Sequence, residues 1–197
     1  TTTGDINGDN NNDLVFSAFG VSQVIVVFSS KTVTWSLSMT SIPNSVSFTH
    51  TPGKWFGYSV ATGDINGDGF DDVFIGAPYA LSNKGRVYIV FGSVSPSSFT
   101  ITSTSTPNGT TWSRITGGAS GGFFGLSIGV VHGIEGTHAG HLIVGAPYAN
   151  SDLDFGYLIH HSICKNETSE SKCSQCIGGY GLNSTTGTCT PCSVINT

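Results

Sequence analysis

Charged residues are scarce in this 197-residue chain, since only 10% of its positions are Asp, Glu, Lys or Arg. The net charge is −5 and the 7 basic residues are scattered, which excludes a basic surface for a nucleic-acid backbone. No apolar run reaches the roughly 18 residues of a membrane-spanning helix, and the first residues lack the pattern of a signal peptide. If the protein is secreted, we expect that its signal has been removed or that the chain is part of something longer. The 27 glycines favour short strands and tight turns over long helices.

Cysteine is absent from the first 163 residues, and all five cysteines lie in the last 34. This change of composition predicts a body at 1–163 and a small disulfide-rich tail at 164–197. The tail cysteines are Cys164, Cys173, Cys176, Cys189 and Cys192. Because five is an odd number, either one thiol pairs with another molecule or the chain is a segment of a longer cysteine-rich array.

Three Asn-x-Ser/Thr tripeptides predict N-glycosylation, at Asn108, Asn166 and Asn183. The tail spacing C-x2-C-x12-C-x2-C would also fit a zinc ribbon. The three acceptor sites and the low charge favour disulfides over zinc, because disulfides form in oxidising compartments. We therefore predict an extracellular or cell-surface location.

An internal repeat of about 60 residues organises the body. GDINGDNNNDLVFSAFG from Gly4 recurs as GDINGDGFDDVFIGAP from Gly63, and WFGYSVATGD from Trp55 recurs as FFGLSIGVVH from Phe123. Short runs rich in β-branched and aromatic residues separate the polar segments, which is typical of blades of four antiparallel strands. The sequence predicts an all-β fold of about three propeller blades, and these span about 1–54, 55–122 and 123–163.

In the second repeat we predict strands at Phe56–Thr62, Val73–Gly76 and Arg86–Phe91, and a weaker outer strand at Ser98–Ser103 or Thr111–Thr116. Trp35, Trp55, Trp112 and most of the 12 Phe are expected to fill the space between neighbouring sheets. Three blades cannot close into a ring, because closed propellers have four to eight. The chain is therefore expected to be a segment of a larger propeller or to be completed by other chains.

The acidic loop of the second repeat has the oxygen donors that calcium prefers. Its predicted ligands, at loop positions 1, 3, 5, 7 and 9, are Asp64, Asn66, Asp68, the backbone carbonyl of Phe70, and Asp72. Three carboxylates this close repel one another unless a cation neutralises them. Asp71, at position 8, is expected to point outward and is left out of the site.

The first repeat offers the same pattern and predicts a second, weaker calcium site. Its ligands are Asp5, Asn7, Asp9, the backbone carbonyl of Asn11, and Asp13. The third repeat reads HGIEGTHAGH and has Glu135 as its one carboxylate, so we predict that its calcium site is lost. We interpret its histidines, His132, His138 and His141, as solvated surface residues rather than zinc ligands.

No catalytic arrangement stands out from the residues. The glycine-rich run GGASGGFFG from Gly117 lacks the Lys of a phosphate-binding loop and is expected to link two blades. His160 and His161 are expected on the last apolar strand, as an edge or surface pair. The acidic residues that could hydrolyse a substrate are committed to the calcium loops. We therefore predict that the chain is not an enzyme.

The second repeat resembles the FG-GAP repeat of the integrin alpha subunit propeller. The residues that carry the resemblance are Phe56-Gly57, the loop from Asp64 to Asp72, Gly76-Ala77-Pro78 and the strand GRVYIVFG. It extends over about residues 4–163, although the first repeat reads Ser17-Ala18-Phe19 in place of Gly-Ala-Pro. The resemblance implies blades of a seven-bladed extracellular propeller. The tail resembles, more weakly, the cysteine-rich repeats of growth-factor-receptor-like surface proteins.

Three functions follow as hypotheses. The preferred one is an extracellular, calcium-stabilised adhesion or recognition module that binds a protein partner. The second is a self-assembling glycoprotein subunit of an extracellular filament or surface coat, whose partners are further copies of the chain. The third is a non-catalytic module of a secreted hydrolase.

Overall fold

The structure is a computed structural model. It describes residues 1–29, 42–52, 55–102, 105–108, 111–118, 120–132, 140–150, 153–160, 164–167, 173–176, 180–183 and 188–191. At 150, 153–156, 158 and the described residues from 160 onward, only the backbone is described. The chain divides into two units, Thr1–Ile159 and His160–Thr197, and each is described by itself.

The first sheet of the larger unit has five strands in the order β1-β2-β3-β4-β8. They are β1 (Thr2–Gly4), β2 (Asp13–Ala18), β3 (Gln23–Val27), β4 (Ser45–Thr51) and β8 (Phe99–Thr102). Strands β1 to β4 are antiparallel to their neighbours, whereas β8 pairs in parallel with β4. A short 3-10 turn at Phe19–Val21 connects β2 to β3.

The second sheet has four antiparallel strands in the order β5-β6-β7-β9. They are β5 (Val60–Gly63), β6 (Asp72–Ala77), β7 (Arg86–Val90) and β9 (Trp112–Thr116). A four-residue helical segment, α1 (Ala80–Asn83), joins β6 to β7. The first strand begins later than predicted, because Trp55 and Gly57 have φ values of 60° and 87° that turn the chain before β5.

The two candidates for the outer strand are both strands, but in different sheets. Trp112–Thr116 is the fourth strand of the second sheet, where it pairs with β7. The stretch predicted at Ser98–Ser103 contains β8, which lies at the edge of the first sheet. The segment between β7 and β9 thus contributes a strand to the preceding blade.

The third sheet has the order β10-β11-β12. Its strands are β10 (Ser127–Val131), β11 (His141–Asn150) and β12 (Leu153–His160). His160 is the last residue of β12, as its predicted strand position requires, and His161 lies outside the described residues. The described body is therefore an all-β fold of propeller-blade type, as the sequence predicts.

The apolar cores lie between the sheets. The first core joins the first two sheets, and its members are Ile6, Val15, Val24, Val26, Val46, Phe48, Phe56, Val73, Ile75, Ala77, Ala80, Tyr88, Val90, Ile101 and Trp112. The second core joins the second and third sheets through Ala61, Ile65, Phe74, Val87, Ile89, Phe124, Leu142, Val144 and Ala146.

Alternate side chains of β6 enter opposite cores, as the period of two along a strand requires. All six residues of β6 are buried in consequence, which explains its continuous apolar run. Trp112 fills the first core as predicted, but Trp55 is 46% exposed, because it belongs to the turn that precedes β5. Trp35 lies outside the described residues.

The smaller unit contains two sheets of two strands each. Strand β13 (Cys164–Glu167) pairs with β14 (Cys173–Cys176), and β15 (Tyr180–Asn183) pairs with β16 (Thr188–Pro191). Cys192 lies outside the described residues, and the predicted disulfides stay a prediction. In the described part of the chain, no helix has the length and apolar character needed to cross a membrane.

Candidate functional site

The second loop, residues 64–72, joins β5 to β6 and is organised by its own polar side chains. The Asp64 carboxylate accepts the Gly69 N–H at 2.8 Å, and Asn66 Oδ1 accepts the Asp68 N–H at 3.0 Å. Asp68 Oδ1 in turn accepts the Phe70 N–H at 3.0 Å. The predicted side-chain donors at positions 1, 3 and 5 are therefore all turned toward the backbone of the loop.

Asp72, the last residue of the second loop, anchors the loop to the protein interior. It is fully buried, and its two carboxylate oxygens accept the Ile65 and Gly92 N–H groups at 3.0 Å each. Burial raises the pKa of Asp72 well above its ordinary value, and the charges of Asp68 and Asp64 raise it further, against the lowering effect of the two hydrogen bonds. A cation would relieve this repulsion.

The first loop, residues 5–13, repeats the arrangement. The Asp5 carboxylate accepts the Asn10 N–H at 2.8 Å. Asp13 is fully buried, and it accepts the Ile6 N–H at 3.0 Å and the Ser29 N–H at 2.9 Å. Burial also raises the pKa of Asp13. The same residue types therefore produce the same local fold twice.

Asp9 is the exposed carboxylate at the centre of the first loop. Its N–H donates to Asn7 Oδ1 at 3.1 Å, and its Oδ1 accepts the backbone and side-chain N–H groups of Asn11 at 2.8 and 3.0 Å. These hydrogen bonds from Asn11 lower the pKa of Asp9, the side-chain bond most. Asp9 is therefore held in the ionised form that a cation would require.

Both loops offer carboxylate, amide and carbonyl oxygens, which are the donors that calcium takes. Asp9 Oδ1 and Asp64 Oδ1 each accept two N–H groups, but the second oxygen of each carboxylate accepts one and keeps a lone pair, so the observed hydrogen bonds do not use up the donors. Within the described residues, no three Asp, Glu, His or Cys side chains are gathered so as to hold a metal ion by themselves. The predicted sets also draw on Asn66 or Asn7 and on a backbone carbonyl. In donor chemistry the loops fit calcium, and its binding stays a prediction.

The third repeat has a histidine where the other two have a buried aspartate. His141, the first residue of β11, is only 2% exposed, so its prediction as a surface residue is wrong. The physical reason is that this position is where the chain enters the sheet. His132 is exposed as predicted. His138 and Glu135 lie outside the described residues, so the loss of the third calcium site stays a prediction.

The first and second loops touch each other. Asp71 does not simply point outward, because its Oδ2 accepts the Asp5 N–H at 2.9 Å and its own N–H donates to the Asp5 carbonyl at 2.9 Å. The sequence reasoning missed this contact because the partner belongs to another repeat. Gly4 is the available signal, since a Cβ there would lie 2.6 Å from Asp71 Oδ2.

Each Phe-Gly turn is bonded to the Gly-Ala-Pro strand of its own repeat. The Gly57 N–H donates to the Gly76 carbonyl at 3.0 Å, and the Gly125 N–H donates to the Gly145 carbonyl at 3.1 Å. The two turn glycines have φ values of 87° and 89°, which only glycine adopts readily. The Phe-Gly and Gly-Ala-Pro motifs are thus parts of one recurring contact.

Six aromatic side chains form a continuous surface row across the three repeats. The row consists of Phe19, Trp55, Tyr58, Tyr79, Phe123 and Tyr148. Ring centroids lie 5.5 Å apart from Phe19 to Trp55, and 5.3 Å apart from Trp55 to Tyr79. The row continues from Tyr79 to Phe123 at 5.3 Å and from Phe123 to Tyr148 at 5.5 Å.

The aromatic row is exposed to solvent over much of its length. Trp55 is 46%, Tyr58 41% and Tyr148 66% exposed. The sequence alone did not separate binding aromatics from packing aromatics. The available signal is position, because most members of the row stand beside a Phe-Gly or Gly-Ala-Pro motif.

Asn108, one of the predicted glycosylation sites, is exposed and is bonded to the backbone at the start of β9. Its Oδ1 accepts the N–H groups of Thr111 and Trp112 at 2.8 and 3.2 Å. Asn166 lies on β13 and Asn183 on β15, in the part of the chain where only the backbone is described. Glycosylation at the three positions stays a prediction.

Known proteins resemble the body of this chain. Residues 56–90 match the FG-GAP repeat family. Integrin alpha-PS2 of Drosophila melanogaster is 35% identical over 119 residues, which are 56% of this chain and 8% of that protein. Integrin alpha-3 of Cricetulus griseus is 32% identical over 114 residues, or 56% of this chain and 10% of that protein. Integrin alpha pat-2 of Caenorhabditis elegans is 58% identical over 40 residues, which are 19% of this chain and 3% of that protein.

The chain thus matches a tenth or less of the length of these relatives. The matched family segment covers the Phe-Gly turn, the second loop, the Gly-Ala-Pro strand and β7. The chain carries an FG-GAP repeat at residues 56–90, is similar to integrin alpha subunits over about half of its length, and has an all-β fold of propeller-blade type.

Proposed function

We propose that this chain is part of an extracellular, calcium-stabilised recognition module that binds a protein partner through the aromatic row. The row is the observation that carries the proposal. Aromatic rings are enriched at protein interfaces, where they bury large areas at low conformational cost. Exposure of the apolar faces of Trp55, Tyr58 and Tyr148 to water does not stabilise the protein, whereas their burial against a partner would be favourable.

The relatives are integrin alpha subunits, which supports an adhesion role at the cell surface. They also support a role without catalysis, in which the chain binds and does not convert a substrate. Calcium has a structural part in this proposal. By neutralising the carboxylates of each loop, it would hold the connection between the first two strands of each blade.

The third sheet favours self-assembly as a second candidate function. Leu142 and Val144 enter the second core, so Ile143 between them lies on the opposite face, where it is 39% exposed. Val131, in the strand paired with β11, is 37% exposed. A further copy of the chain could cover this apolar face, as the filament or coat hypothesis requires.

The experiment is attachment of cells, from the organism that makes the protein, to a surface coated with the full chain. The wild type is expected to support attachment in calcium, and the double variant Trp55→Ala, Tyr58→Ala is expected to lose it by about tenfold or more, because hot-spot aromatics contribute about 2 kcal/mol or more. Val94→Ala is the matched control, since Val94 is 77% exposed and is not a member of the row.

No attachment by the wild type would overturn the adhesion proposal. An equal loss in the control variant would show that the aromatic row is not the binding surface. Light scattering of the same preparations decides the second candidate. A native mass of several chains, reduced to one chain by Ile143→Ser, would support self-assembly through the third sheet, and a monomer at all concentrations would exclude it.

A further inference from the structure

We infer that Asp71 couples calcium binding at the two loops, so that occupancy of either loop raises the affinity of the other. The inference rests on the calcium binding proposed above and goes beyond it. Asp71 is outside both predicted donor sets and acts as a positioning residue. It connects position 8 of the second loop to position 1 of the first.

Asp71 holds the first residue of the neighbouring loop at two points. Its carboxylate accepts the Asp5 N–H, and its own N–H donates to the Asp5 carbonyl, both at 2.9 Å. Asp5 is thereby fixed on the backbone side while its carboxylate organises the first loop. A change in the position of Asp71 therefore moves a predicted calcium ligand directly.

Further contacts make the junction between the loops tight. A Cβ on Gly8 would collide with the Phe70 ring, which shows how closely that ring covers the first loop. The Ser93 N–H donates to the Ile6 carbonyl at 3.1 Å. The loops therefore pack as neighbours, and coupling needs no intervening chain of residues.

The next junction along the chain has the backbone part of this contact without the side chain. The Gly140 N–H donates to the Asp64 carbonyl at 2.6 Å, in the place of the bond from Asp71 to Asp5. Gly140 has no carboxylate with which to accept the Asp64 N–H. Among the described residues, this side-chain bond is therefore found at the junction between the two loops that carry complete donor sets.

The direction of the coupling follows from ordering. Asp71 precedes Asp72, so a cation that fixes Asp72 in the second loop also restricts Asp71. Through its bonds to Asp5, Asp71 then restricts the first ligand of the first loop before any cation arrives there. A ligand site that is already ordered loses less conformational entropy on binding, which gives positive cooperativity. The coupling must be reciprocal, so each loop changes the affinity of the other by the same factor.

The test is a set of calcium titrations by calorimetry on the full chain. Asp68→Ala leaves the first loop able to bind, and Asp9→Ala leaves the second. The coupling factor is the product of the two stepwise association constants of the wild type, divided by the product of the two single-loop constants. We expect a factor of about five or more, the lower end of typical coupling between sites.

In the Asp71→Ala background the coupling factor is expected to fall to about one. Asp71→Asn keeps an oxygen that can accept the Asp5 N–H, so it is expected to retain most of the coupling. Asn12→Ala is the matched control, because Asn12 occupies position 8 of the first loop and is exposed. It should leave the coupling factor at its wild-type value.

A direct readout is hydrogen exchange of the Asp5 amide in Asp9→Ala, where calcium can occupy the second loop alone. Exchange at Asp5 should slow on adding calcium, and in the Asp9→Ala, Asp71→Ala variant it should not. Two loops that bind calcium with a wild-type factor of one would overturn the coupling and leave the proposed function standing. A factor lost equally in Asp71→Asn and Asp71→Ala would overturn the hydrogen-bond route. No calcium binding in any variant would overturn the proposed function itself.

Discussion

The first and second loops carry the same residues at positions 1 to 5 and at position 9, and they share most of their hydrogen bonds. In each, position 1 accepts the N–H of position 6 at 2.8 Å, and position 9 accepts the N–H of position 2 at 3.0 Å. They differ at positions 6, 7 and 8, which are Asn10, Asn11 and Asn12 in the first loop and Gly69, Phe70 and Asp71 in the second. The shared hydrogen bonds are made between residues within nine positions of each other. The residues that differ determine the backbone strain and the contact with the neighbouring blade.

The surroundings of the two loops differ in depth. The hydrogen bond from Gly92 to Asp72 is buried, whereas the bond from Ser29 to Asp13 is partly buried. The second sheet has a core on each face, and in the described structure the first sheet contributes to one core. Two similar loops are thus attached to sheets that are buried to different extents. The stability of the second loop should therefore depend more on its buried carboxylate.

The largest effect is expected from Asp72→Ala, measured against Asp13→Ala. Removing Asp72 leaves two buried N–H groups without an acceptor, and each costs about 1–3 kcal/mol, so the free energy of unfolding should fall by about 2–6 kcal/mol. Asp13→Ala should cost less, because water can reach the Ser29 N–H. Urea unfolding in a chelator measures both. An equal or larger loss for Asp13→Ala would contradict the difference in depth.

Calcium should distinguish the contribution of each loop to stability from that of the neighbouring sheets. At a concentration about 100 times its dissociation constant, calcium at one site adds about 2.7 kcal/mol to the free energy of unfolding. Asp68→Ala should lose this contribution in calcium and change little in a chelator, because Asp68 is exposed. Asp9→Ala should do the same for the first loop. Thermal unfolding with and without calcium checks this, and equal destabilisation in both conditions would mean that the residue supports the turn alone.

The junction of the first two sheets should respond to acid through His50. His50 Nδ1 lies 3.0 Å from the Pro52 carbonyl, which can only accept, so Nδ1 carries the proton and Nε2 accepts the Tyr88 hydroxyl at 2.9 Å. Burial lowers the pKa of His50, and the charges of Arg86 and Arg114 lower it further, whereas the bond to Pro52 raises it.

Because the folded-state pKa of His50 is below the unfolded value, the unfolded chain binds more protons as the pH falls below about 6.5. Stability is therefore complete above that pH and declines below it until the folded-state pKa is passed. The lost hydrogen bond to Tyr88 suggests an effect of about 1 kcal/mol. Urea unfolding between pH 7.5 and 5 in wild type and His50→Gln measures it. Identical pH profiles for the two proteins would show that His50 does not contribute.

Local patterns predicted the parts of this fold that depend on nearby residues. The strands around Val73 and Arg86 follow from apolar runs bounded by turns, and the two loops follow from the spacing of Asp, Asn and Gly. The candidate donors within each loop could be chosen for the same reason. Each of these features is decided within about ten residues.

The contacts between repeats could not be predicted in this way. Asp71 looks like a solvated loop residue until Asp5 of the other repeat is placed beside it. Strand β8 has the composition of an outer strand for its own blade, and its pairing with β4 depends on the path of the chain between sheets. His141 looks like a loop histidine, and it is buried because it occupies the entry position of a strand.

The smallest effect is expected at position 6, and it should be unequal in the two loops. Asn10 has φ = 63°, close to the left-handed minimum near 57° that Asn tolerates, so Asn10→Gly relieves little strain and frees the unfolded chain. The free energy of unfolding of the Asn10→Gly variant should stay within about 0.5 kcal/mol of the wild-type value. Gly69 has φ = 88°, farther from that minimum, so Gly69→Asn should cost about 1 kcal/mol. Thermal unfolding of both variants in a chelator measures the two changes. Changes of equal size and opposite sign would mean that the two loops have the same backbone preference at position 6 and that the difference in φ has no energetic effect.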